Sequence, residues 1–130
     1  MLRRRTAGFT LIELLIVVVI IGLLAAIAVP KFAATKEKAY TSTMKGDLRN
    51  LATAQEAYWN DHATYYNGSF PSTQMVYNPS ASVTITINSA SGSGWGATAS
   101  HANSAVTCAL FAGTASPPPP ATIEGRIACQ

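Results

Sequence analysis

One carboxylate constrains this chain more than any other residue. Glu13 stands inside Phe9 to Val29, a run of 21 residues that otherwise holds no charged group. As an α-helix the run is roughly 31 Å long at about 1.5 Å per residue, close to the roughly 30 Å hydrocarbon thickness of a bilayer. A helix of that length and composition reads as a membrane span. A carboxylate within it costs about 2–3 kcal/mol or more unless a cation or a hydrogen-bond donor meets it. Whatever the chain folds into must supply Glu13 with a partner.

The residues before the run set its orientation. Arg3, Arg4 and Arg5 precede it with no acid among residues 1–8, and a basic cluster beside an apolar helix stays on the cytoplasmic side. The remainder of the chain then faces outward. The same three arginines account for the whole net charge of +3 in 130 residues, so no specific nucleic-acid partner is expected from charge. An ordinary secretory signal would be cut after the apolar run, near Ala25, Ala26 or Ala28, but a disposable signal has no use for Glu13. Were the bond after Gly8 cut instead, Phe9 would carry a free α-ammonium. That cation would lie one helical turn from Glu13 and be available to the Glu13 of another copy.

The stretch Gly8-Phe9-Thr10-Leu11-Ile12-Glu13, with basic residues before it and uncharged residues after it, closely resembles the cleavage and methylation motif of type IV prepilins. These belong to the superfamily of bacterial type IV pilins and type II secretion pseudopilins. The resemblance is strongest over residues 1–40. It implies that residues 1–8 are a leader, cut between Gly8 and Phe9 by a membrane prepilin peptidase that also N-methylates Phe9. It implies that residues 9–30 remain as a transmembrane and assembly helix, in which Glu13 pairs with the Phe9 amino group of a neighbouring subunit and sets axial register. Gly22 and Pro30 weaken a helix by about 1 and about 3 kcal/mol respectively, and in the family the stretch between such positions melts in part as the fibre forms. The implied product is a homo-oligomeric helical filament built by an inner-membrane assembly machinery. Its subunit is a single-pass inner-membrane protein before assembly and an extracellular pilus component after it. A pseudopilin of a type II secretion system is the alternative.

After Pro30 the pattern changes. Tyr40, Met44, Leu48, Leu51, Tyr58 and Trp59 recur at helical spacing, with Gln55 in the one gap. This predicts an amphipathic continuation of the stem over 31–62, its apolar stripe turned toward a sheet. The charges along it contain no opposite-sign pair at i,i+3 or i,i+4, and Lys45 and Arg49 form a like-charge pair. They read either as solvated or as waiting for partners on adjacent subunits.

Residues 63–130 read as a small β head. Val83, Ile85 and Ile87 alternate with threonines, Ser89 to Gly94 turns the chain, Trp95 to His101 and Val106 to Phe111 follow as strands, and Ile123 to Cys129 closes as a short strand or hook. The expected fold is α+β: a long N-terminal helical stem packed on an antiparallel sheet of three to four strands. Cys108 and Cys129 are the only cysteines, and in an exported chain such a pair reads as a disulfide contributing about 3 kcal/mol. Gram-negative type IV pilins carry a C-terminal disulfide loop of this kind. Pro117 to Pro120 reads as a stiff polyproline spacer of about 12 Å, with a recognition segment as the alternative.

Little here points to chemistry. His62 and His101 are the only histidines, with no cysteine or acid near either at ligand spacing. No cofactor, metal site or catalytic arrangement is expected, so the chain reads as a non-enzyme. Glu124 is the sole acid after Asp61, too few carboxylates for a calcium cage in the head; the major pseudopilins of the resembling superfamily usually have one. Asn67-Gly68-Ser69 is a glycosylation sequon, and Ile123 to Arg126 matches a protease site by coincidence.

Overall fold

The computed structural model describes residues 8–130. Met1 to Ala7, with the three arginines of the expected leader, lie outside the described residues. The chain divides into two compact units, one ending at Lys36 and the other running from Glu37 to Gln130.

Helix α1 is Leu11–His62, 52 residues. In the first unit it is apolar all round, and from Phe9 to Phe32 every large apolar side chain keeps half or more of its surface uncovered. A soluble helix hides such a surface in a core; this one has no core to enter. The helix runs through Gly22 and Pro30 without interruption. The melting expected at those positions concerns an assembled fibre, and the chain described here carries the intact helix.

The second unit holds an antiparallel sheet in the order β1-β2-β3-β4, with β1 at Val83–Ala90, β2 at Gly94–His101, β3 at Thr107–Gly113 and β4 at Ala128–Cys129. Met44, Leu48, Leu51 and Gln55 of α1 are fully buried, at steps of three and four that place them on one face. Met44, Leu48 and Leu51 share a single core with Val83, Ile85, Trp95, Ala97, Ala99, Cys108 and Leu110 of the sheet. The α+β expectation holds, with four strands. The third strand starts one residue later and ends two later than expected. Most of the expected closing strand is a turn, in which the Arg126 N–H donates to the Ile123 carbonyl at 3.2 Å; only two residues pair with β3. Cys108 and Cys129 face each other across that pairing and are disulfide-bonded.

The polyproline run is not a spacer. Pro118 is buried and packs so close to the sheet that a Cβ on Gly96 would lie 3.1 Å from its Cδ. The Ala121 N–H donates back to the Pro118 carbonyl at 2.9 Å, which folds the run into a turn. Ala121 then joins Ala109 and Phe111 in a second small core. Adjacent strand residues point to opposite faces, so the C-terminal loop covers the face of β2 and β3 that α1 leaves bare.

Three acids of α1 depart from both readings given for its charges. Asp47 is buried and accepts from the Ser80 N–H at 3.0 Å and the Ser80 hydroxyl at 2.9 Å. Glu37 accepts from the Ser104 hydroxyl, and Glu56 from the Tyr65 hydroxyl at 3.0 Å. These three carboxylates hold loops of their own chain to the helix; they are neither merely solvated nor awaiting another copy.

Candidate processing and assembly site

The start of α1 is built by Thr10 and Glu13. Thr10 is the last residue before the helix, and its hydroxyl oxygen accepts from the Glu13 N–H at 3.3 Å. Glu13 Oε2 reaches back to accept from the Thr10 N–H and the Thr10 hydroxyl, each at 2.8 Å. This is a reciprocal capping box, which satisfies donors that a helix N-terminus otherwise leaves open. It also supplies the carboxylate with a partner inside its own chain. The signature, threonine followed three residues later by glutamate ahead of an apolar run, is present in the sequence. Among the described residues Glu13 meets no cation; its partners are the N–H and hydroxyl of the threonine three residues before it.

Gly8 and Phe9 lie immediately before this cap, outside the helix. Phe9 is 89% exposed, and among the described residues nothing stands within 4 Å of where a Cβ on Gly8 would be. Among the described residues the peptide bond joining them is therefore uncovered, and it lies before the first residue of the helix. Phe9, Thr10 and Glu13 thus form one short constellation. Gly22 and Pro30 do not belong to it, lying about 14 and about 26 Å further along the helix axis.

The remaining residues singled out from the sequence lie in the second unit. Asn67 is exposed in the loop after α1. His101 is buried, stacks on Tyr40 at 4.1 Å and accepts through Nδ1 from the Asn103 N–H at 3.1 Å. His62 stacks on Tyr58 at 4.0 Å. Among the described residues no group of three or more His, Cys, Asp or Glu is placed to hold a metal ion. Gln55 is a structural residue whose partner the sequence did not reveal: its amide accepts from the Tyr66 N–H at 2.8 Å and donates to the Tyr66 carbonyl at 3.0 Å.

Comparison with known proteins places this geometry. The prokaryotic N-terminal methylation motif matches residues 3–29. The chain is 43% identical over 75 residues to a type II secretion system core protein G of Pseudomonas aeruginosa, a match spanning 58% of this chain and 49% of that protein. It is 48% identical over 61 residues to a type IV major pilin protein of Myxococcus xanthus, spanning 47% of this chain and 28% of the relative. The chain thus spans half or less of those two proteins. With a type IV wide pilus major component of Thermus thermophilus it shares 34% identity over 104 residues, 79% of each chain. The chain belongs to the superfamily of type IV pilins and type II secretion pseudopilins.

Pilin-superfamily membership gives the bare half of α1 its meaning. The helix is long and apolar enough to cross a membrane, and in a pilin-like chain its N-terminal half is the membrane anchor. The relatives include both pilus and secretion-system components, so membership alone does not choose between them. None of those three relatives carries the name of an enzyme.

Proposed function

We propose that the chain is a structural subunit of a type IV pilus. A prepilin peptidase cuts between Gly8 and Phe9 and methylates the new Phe9 amine. The apolar half of α1 holds the subunit in the inner membrane until the pilus assembly machinery moves it into an extracellular filament. There Glu13 exchanges its Thr10 cap for the Phe9 ammonium of a neighbouring copy. Gly22 and Pro30 mark where α1 loosens as it leaves lipid, and Asn67 is open to glycosylation.

One observation carries this reading: residues 9–32 present large apolar side chains on all faces of a helix that their own chain does not cover. At about 25 cal/mol per Å², leaving that surface in water is prohibitive. Lipid covers it first, and other copies cover it in the filament. The pseudopilin reading is favoured by the secretion-system relatives. The pilus reading is preferred because a relative aligned over 79% of each chain is a pilus component, and because the Cys108–Cys129 bond matches the C-terminal loop of the pilins that the sequence resembles.

Shearing cells, imaging the released material and taking the subunit mass tests the proposal. Fibres of a chain that starts at Phe9 with one added methyl group are expected. A chain starting at Met1 or near Ala28 would refute the processing. Absence of fibres together with a secretion defect on deletion would assign the chain to a secretion system.

A further inference from the structure

Two charge placements on α1 work against the helix that carries them. Lys45 and Arg49 repel one another at i,i+4. Asp61 stands in the last turn, where the helix macrodipole disfavours an anion. Local choices that a fold does not reward mark positions kept for another purpose.

The second unit has five carboxylates, and four are held within the chain. Ser104 holds Glu37, Ser80 holds Asp47, Tyr65 holds Glu56, and the Gly113 N–H holds Glu124. Asp61 is the fifth. It is exposed, in a shallow depression that it shares with Val76, an apolar side chain left fully uncovered.

The cations tell the complementary story. Lys45 and Arg49 meet a third, Arg126, around a cleft of about 400 Å³ floored by Ala52, Leu110 and Ile127. The backbone that carries Arg126 is anchored on both sides. The Gly125 N–H before it donates to the Phe111 carbonyl at 2.9 Å, and three residues after it Cys129 is bonded to β3. Three positive groups thus stand around an apolar floor, and no carboxylate lines the cleft.

We propose that this cleft receives Asp61 of a second copy of the chain, with Val76 seated toward the apolar floor. The contact rests on the filament reading above. A long polyanion fits less well, because the second unit as a whole has five acids against four basic residues and repels one beyond the cleft. The two patches are different surfaces of one chain. Their union is a heterologous contact that leaves each copy with one patch free, the type that propagates into a helical array.

Charge reversal in the full-length chain, made in cells lacking their own copy, tests the contact. Asp61→Lys and Arg126→Glu should each lower the yield of sheared fibres about tenfold or more, and the double reversal should restore most of it. Arg126→Lys should retain fibres. Membrane level and an intact Cys108–Cys129 bond report that each variant has folded. Single reversals that assemble like the parent overturn the contact, as does a double reversal no better than its parents. Loss of DNA capture with fibres unchanged would give the cleft to a polyanion and also overturn it. A parent chain that forms no fibres removes the filament reading and this contact with it; parent fibres indifferent to every reversal remove the contact alone.

Discussion

The hydroxyl of Tyr77 donates to the carbonyl oxygen of Asp47 at 3.1 Å, and the ring packs edge-on against Phe70. Burial first, and the Asp47 carboxylate second, push its pKa far above the ordinary tyrosine range. The unfolded chain releases this proton near pH 10, while the folded chain retains it. Above that pH the unfolded state therefore binds fewer protons, and stability falls as pH rises. Below it the contribution is whole. Tyr77→Phe is expected to cost about 1 kcal/mol near neutrality through the lost hydrogen bond and to make the alkaline decline shallower. Urea unfolding of detergent-solubilised protein from pH 8 to 11.5 measures both. A residual slope should persist from Tyr65, which desolvation and the hydrogen bond to Glu56 also push up. Such partners were not legible in the sequence. Asp47 and Ser80 are 33 residues apart, and Gln55 looked like a gap in an apolar stripe until Tyr66 came back to it across a turn. The stripe identified the buried positions and could not name what they meet.

At the level of elements, the N-terminal cap of α1 carries the sharpest expectation. Glu13→Leu removes half of the reciprocal cap, a loss of about 1 kcal/mol. It also removes a carboxylate that costs about 2–3 kcal/mol in the membrane, so insertion should match or exceed that of the parent. In the proposed filament the same change strands a neighbour's Phe9 ammonium in a dry core, a state costing about 3–5 kcal/mol for buried pairs. The expected result is normal processing, normal membrane levels and few or no fibres, scored by immunoblot and electron microscopy. Fibres of normal number would show that the cap is the whole role of Glu13. The helix, the first hairpin and its buried Trp95 were legible because periodicity and turn chemistry are local. The shortening of β4 was not: after Gly113 the chain leaves the sheet to cover its second face, a destination fixed by Phe111 and Gly96 beneath Pro118 and by no local preference of the prolines.

As a whole the molecule joins a unit with uncovered apolar faces to a unit whose sheet is covered by α1 on one side and, over β2 and β3, by the C-terminal tail on the other. The first was plain from composition, because nothing but lipid or other copies can surround such a helix. The second was half visible: the α1 face of the sheet followed from alternation, and the covering tail did not. That tail has a property of its own. Its two ends are clamped on β3, at Gly113 where the strand ends and through Cys129 to Cys108. Between them the chain is a closed covalent ring lying on an already complete sheet. Ring size then becomes nearly independent of fold. Inserting about ten residues between Ser116 and Pro117, both exposed, should cost less than about 0.5 kcal/mol in closure entropy and leave the unfolding midpoint almost unchanged. The same insertion with Cys129→Ser should lower it clearly, because the ring is then an open flap. A peptide tag carried at that position would give each copy a readable label, on a surface whose sequence the sheet beneath does not dictate.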